Sequence, residues 1–128
     1  MSIGALTAVA AGSALGGAAR YLIGLALATR SATFPVGTLL VNVAGGFLLG
    51  LFVRAGSGAT SVETRLFLTV GLCGGFTTFS TFSLETVRLL QDEATARALG
   101  YVVASVLLSG LAVWLGLLAG RVLDGARV

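Results

Sequence analysis

Residues 71–83 read Gly71-Leu72-Cys73-Gly74-Gly75-Phe76-Thr77-Thr78-Phe79-Ser80-Thr81-Phe82-Ser83, inside a segment otherwise apolar enough to cross a membrane. In hydrocarbon every backbone N–H and C=O needs a partner within the protein. Helix-weakening residues at mid-depth are therefore tolerated only where they line something. A glycine pair, a run of hydroxyl residues and three phenylalanines three residues apart exceed what lipid solubility requires. The spacing predicts a helix broken near mid-membrane around an ion site, not a plain anchor.

The rest of the chain is of the same class. Its 128 residues are 56% hydrophobic and 10% charged, with a mean hydropathy of +1.02, whereas soluble domains carry about a quarter charged residues. A spanning helix needs about 20 mostly apolar residues. Four segments qualify, 3–28, 36–53, 66–90 and 98–123, which predicts an all-α membrane protein with one four-helix transmembrane domain over 1–128. The connectors 29–35, 54–65 and 91–97 hold most of the charge and leave no room for a soluble domain. The first apolar run is too long for a signal peptide and has no basic residue before it.

Composition excludes several functions. Cys73 is the single cysteine, so no intrachain disulfide forms, and the absence of histidine removes the usual metal clusters. Cys73 reads as a small buried residue. The net charge is +3, but all eight basic residues are arginines scattered among loops and helix ends, which argues against nucleic acid as a partner. No nucleophile with a neighbouring base and no paired acid and base is visible, so no enzyme is expected.

Arginine bias in short loops normally sets which side faces the cytoplasm. One side here carries Arg54, Arg65, Arg121 and Arg127; the other carries Arg30, Arg88 and Arg97, with Arg20 nearer to it. The near balance admits insertion in both directions and an antiparallel homodimer. Each segment also holds two glycines four residues apart: Gly12/Gly16, Gly46/Gly50, Gly71/Gly75 and Gly116/Gly120. Small residues at that spacing let helix backbones approach closely in lipid, without saying which helix meets which.

Five polar features inside the segments admit two readings each. Arg20 lies roughly 12 Å from the segment end at about 1.5 Å per residue; it either snorkels to the interface beside Tyr21 or charges a water-filled vestibule. Asn42, one turn after Thr38, is either an interhelical hydrogen bond or a donor to an anion. Tyr101, Ser105 and Ser109 recur every four residues; they bond their own helix or form a track of donors. Phe79 and Phe82 fill space or turn positive ring edges toward an anion. Glu85, the one acid deep in an apolar segment, is a vestibule residue or a proton relay.

Three motifs together resemble one family. Gly16-Gly17-Ala18-Ala19-Arg20-Tyr21, Gly37-Thr38-Leu39-Leu40-Val41-Asn42 and Gly74-Gly75-Phe76-Thr77-Thr78-Phe79-Ser80-Thr81-Phe82 are similar to the bacterial fluoride channels (Fluc, also called CrcB). The resemblance covers nearly the whole chain in length, segment count and motif order. It implies a dual-topology antiparallel homodimer in the bacterial inner membrane, with two fluoride pores at the subunit interface and passive export of cytoplasmic fluoride. By resemblance, Asn42 coordinates fluoride, Phe79 and Phe82 form the aromatic part of the pore, and Tyr101, Ser105 and Ser109 form a polar track with Thr38 nearby. Arg20 shapes the vestibule and Glu85 sits near a pore mouth. The family also holds a central structural Na⁺ through backbone carbonyls, here those of Gly74 and Thr77 from both subunits.

These roles fit the physical reading. A helix break frees carbonyls suited to Na⁺, and a bound cation makes the local potential more favourable to anions. Donors and weak ring edges replace fluoride's water without holding the ion too tightly. Two alternatives compete. A small dual-topology proton-coupled exporter resembles its kind in carrying an acid in the first segment, where this chain has Arg20. A structural subunit with no transport of its own has no use for a broken third segment.

Overall fold

The computed structural model describes residues 2–31, 33–55 and 60–125. Arg127, counted above in the charge balance, lies outside them. Helix α1 spans Ile3–Ala26 and α2 spans Val36–Ala55. The third segment is built from pieces: α3 (Val62–Leu66), a π-helical stretch (Phe67–Cys73), α4 (Gly74–Phe76) and α5 (Phe79–Gln91). Helix α6 runs over Thr95–Gly125. Among the described residues there is no strand. Four runs of described residues are long and apolar enough to cross a membrane: Ile3–Ala26, Val36–Ala55, Val62–Gln91 and Thr95–Asp124.

Helical hydrogen bonding starts before hydropathy does. The third run begins at Val62, four residues ahead of the apolar stretch, because the Ser61 hydroxyl accepts the Thr64 N–H at 3.2 Å and caps the first turn. Before α2, the Ser31 hydroxyl accepts the Gly37 N–H at 3.1 Å, and Pro35 needs no N–H partner. At the other end of α5, Glu93 adopts φ 56°. Its N–H bonds the Leu90 carbonyl at 3.1 Å and the Ala94 N–H bonds the Leu89 carbonyl at 2.9 Å. This is the paired-bond ending that usually takes glycine at the left-handed position.

The glycine pairs face other helices of the same chain, and all their members are buried except Gly75, which is half-buried. A methyl on Gly12 would lie 2.8 Å from the Leu72 amide nitrogen, and one on Gly75 would lie 2.6 Å from the Ser13 carbonyl oxygen. The Gly12/Gly16 and Gly71/Gly75 pairs thus form one seam, α1 against the π stretch and α4. A methyl on Gly50 would lie 2.9 Å from the Leu117 nitrogen, and one on Gly116 would lie 2.8 Å from the Leu51 nitrogen. That second seam joins α2 to α6, the most extensive pairing in the molecule. Because no hydrophobic force draws helices together in lipid, close backbone contact of this kind supplies the association through dispersion.

Candidate functional site

Between α4 and α5 the backbone leaves the helix for two residues. Thr77 has φ −77° and ψ 158°, and Thr78 has φ −150° and ψ 119°. Each lost helical bond has a replacement. The Thr77 N–H and hydroxyl both donate to the Cys73 carbonyl at 2.9 Å, closing α4. The Thr78 hydroxyl accepts the Thr81 N–H at 3.2 Å, capping α5. Asn42, reaching across from α2, accepts the Thr78 N–H on Oδ1 at 2.8 Å and donates from Nδ2 to the Thr78 carbonyl at 3.1 Å. One side-chain amide therefore matches both backbone groups of the buried Thr78, and one Nδ2 hydrogen is left over.

The same bonds explain why carbonyls are free here. In a continuous helix the Thr78 N–H would bond Gly74 and the Thr81 N–H would bond Thr77. Those donors go instead to Asn42 and to the Thr78 hydroxyl. Gly74 and Thr77, the two positions expected to offer carbonyls to Na⁺, are among the residues at the break that lose their regular donors. Carbonyl oxygens suit a hard monovalent cation, so the residues present fit the group.

A cavity of about 330 Å³ opens beside this junction, lined by Asn42, Thr78, Phe79, Phe82, Ser105 and Ser109. The Phe79 and Phe82 rings lie 5.6 Å apart at 44°. Phe79 is 80% exposed in the single chain, so the cavity is open on that side. The hydroxyls of Ser105 and Ser109 are buried and meet no partner at full hydrogen-bond geometry among the described residues, although the Ser105 hydroxyl lies near that of Tyr101. Other hydroxyls in these helices bond the carbonyl one turn back, as Thr69 does at 2.8 Å, Ser83 at 2.9 Å and Thr86 at 2.8 Å. Against that habit, two neighbouring serines with unmet donors on one cavity wall stand out.

Two of the expected pore residues, Thr38 and Tyr101, do not line this first cavity. Thr38 belongs to a second cavity of about 400 Å³, shared with Arg20, Tyr21, Thr78, Thr81 and Glu85. Tyr101 is fully buried and donates its hydroxyl to Glu85 Oε2 at 2.7 Å, while Thr38 donates to Oε1 at 2.9 Å. On α6, Ser105 and Ser109 line the first cavity, while the Tyr101 hydroxyl, near that of Ser105, donates to the acid on α5. The Tyr101 ring stands between Phe82, at 5.2 Å, and Phe34, at 5.5 Å and 83°. Glu85 is thus a hydrogen-bonded hub between α2 and α6 and not an isolated carboxylate.

Thr78 and Phe34 had no role from sequence. A threonine three residues before Thr81, at the head of an amphipathic run, is a capping signal that could have marked Thr78. No sequence signal distinguishes Phe34, whose place depends on the turn between α1 and α2.

Comparison with known proteins follows the same line. The family described as "CrcB-like protein, Camphor Resistance (CrcB)" matches residues 7–117. A protein of Rhizobium meliloti named "Fluoride-specific ion channel FluC" is 51% identical over 113 residues, 85% of this chain and 90% of the relative. Proteins of the same name from Caulobacter vibrioides and Methylobacterium radiotolerans are 50% and 42% identical, covering 91% and 100% of this chain and 94% and 92% of their own lengths.

Proposed function

The chain belongs to the CrcB family, whose members are ion channels and not enzymes, and on that footing we propose that it conducts fluoride passively out of the bacterial cytoplasm. As a multi-pass membrane protein it acts within the bilayer, here the inner membrane. The working unit is an antiparallel homodimer with two pores along the subunit contact. The buried Ser105 and Ser109 hydroxyls carry this reading: two unmet donors share a cavity wall with the spare Asn42 hydrogen and the Phe79 and Phe82 rings. Leaving buried donors unpaired costs about 1–3 kcal/mol each, a cost that an anion on that wall removes. The exposure of Phe79 in the single chain supports a second copy closing the open side.

Within this reading the residues divide the work. Asn42 holds Thr78 with one hydrogen and offers the other to the ion. The ring edges of Phe79 and Phe82 give weak, dry contacts that do not trap it. Ser105 and Ser109 donate along the wall, while Tyr101 and Thr38 hold Glu85. Arg20 sets a favourable potential for anions in the second cavity. The Gly74 and Thr77 carbonyls of both subunits would hold Na⁺, which when bound would supply a fixed positive charge.

The test is fluoride efflux from proteoliposomes, read by a fluoride electrode with an ionophore carrying the counter-charge. A channel releases fluoride without a proton gradient. Dependence on a proton gradient would support the exporter, and no flux would support the structural subunit.

A further inference from the structure

Glu85 is shared by two cavities. On one side is the space with Arg20 and Thr38; on the other is a cavity of about 270 Å³ with no role so far, lined by Ser31, Thr33, Phe34, Glu85, Arg88 and Asp92. It lies between the α1–α2 turn and the last turns of α5. Phe34 carries the aromatic row on from Phe79, Phe82 and Tyr101 into this space, at successive ring distances of 5.6, 5.2 and 5.5 Å. The Ser31 oxygen accepts from Gly37, which leaves its proton for another partner. The first and second cavities share Thr78, and the second and third share Glu85. Thr78 and Glu85 are thus walls common to adjacent spaces, and the three cavities lie side by side.

Charge across these spaces has a simple order. The Glu85 carboxylate separates two spaces, and each contains one arginine, Arg20 on one side and Arg88 on the other. Among the described residues neither Glu85 nor Asp92 forms an ion pair with Arg88. Arg97, on α6, is directed to the Thr33 carbonyl at 3.3 Å. Asp92 and the negative end of α5 face the same cavity as Arg88. Without Arg88 this space would repel an anion from every charged group lining it.

We infer that the cavity below Glu85 is an outer mouth for small hard anions and that Arg88 is its recruiting charge, the counterpart of Arg20 across the carboxylate. This rests on the fluoride-channel reading. Arg88 is exposed, so it acts through the local concentration of anions at the mouth and not through a dry contact. Such steering is strong at low ionic strength and is screened within about 3 Å in 1 M salt.

Fluoride flux into proteoliposomes, measured against fluoride concentration at low and high ionic strength, tests the proposal. Arg88→Gln is expected to lower flux about tenfold at low fluoride and low ionic strength, with near-normal flux at saturating fluoride or in an impermeant salt at high concentration. Arg88→Lys should keep most of the flux, and Asp92→Asn should raise it at low fluoride. Wild-type behaviour of Arg88→Gln at low ionic strength would overturn the assignment. So would a deficit unchanged by salt and by saturation, which marks a packing defect. If Arg88→Gln does not assemble, Asp92→Asn decides by its opposite sign, and no gain there rejects the proposal. A wild type that passes no fluoride would fail the channel reading itself, and the proposal with it.

Discussion

Two regions of this molecule answer the same demand of the bilayer in opposite ways. Along the glycine seams, α1 against the π stretch and α2 against α6, the helices keep their own hydrogen bonds and remove side chains until backbones touch. At Thr77 and Thr78 the helix gives up its bonds, and side chains replace them: Asn42 for both backbone groups of Thr78, and the Thr78 hydroxyl for the Thr81 N–H. At most seam glycines an added methyl would strike backbone, whereas the junction depends on each donor and acceptor being kept. The difference separates scaffold from site. Among the buried side-chain polar atoms of the described residues, the Ser105 and Ser109 hydroxyls are the ones left without a partner.

Gly16→Leu attacks the scaffold and has the largest expected effect. Its side chain would meet the Leu72 carbonyl and the Phe76 nitrogen, backbone atoms that cannot rotate aside. A cost of about 3 kcal/mol or more is expected, at the upper end for overpacking. It would appear as loss of the monodisperse species on size exclusion in detergent. Normal assembly would show that the seam is looser than the geometry states.

Asn42→Asp attacks the junction. The carboxylate still accepts the Thr78 N–H but cannot donate to the Thr78 carbonyl, and it places negative charge on the cavity wall. A destabilisation of about 1–3 kcal/mol is expected from the lost donor, together with strongly suppressed fluoride flux. Thermal unfolding and electrode recording on one preparation separate the two effects. Full flux in this variant would remove Asn42 from the ion's path.

Phe82→Ile sharpens the contrast within the junction by keeping bulk and removing the ring edge. Flux should fall roughly 3-fold to 10-fold, the equivalent of about 0.5–1.5 kcal/mol for an aromatic contact, while the size-exclusion profile stays unchanged. Equal flux would return Phe82 to simple packing. The smallest effect belongs to Glu93→Gly, away from both regions. Relieving a left-handed residue at the end of α5 should stabilise the protein by about 1 kcal/mol without altering flux. A lower melting temperature would mean that Glu93 serves a contact other than the turn.

Much of this was legible from residues alone because the bilayer makes its demands locally. A span of apolar length is a helix whatever surrounds it, and a hydroxyl- and glycine-rich run inside such a span has few structural uses. Those constraints located the four spans and drew attention to Asn42, Phe79, Phe82, Ser105 and Ser109. The helix ends were less visible, since Ser61 and the turn at Glu93 act through hydrogen bonds that hydropathy does not register.

What the chain determined by itself was its solvent, its number of crossings and the stretch where regular helix becomes costly, all of which follow from short-range chemistry. Tertiary structure alone decided which glycine pair meets which backbone and that Asn42 holds Thr78. It also brought the Tyr101 hydroxyl to Glu85 and set Arg88 in one cavity with Ser31 and Phe34 of the α1–α2 turn. The physical reason is reach. A hydrogen bond or a backbone contact exists only within about 3 Å, and residues 36 or 47 positions apart come that close only when helices pack.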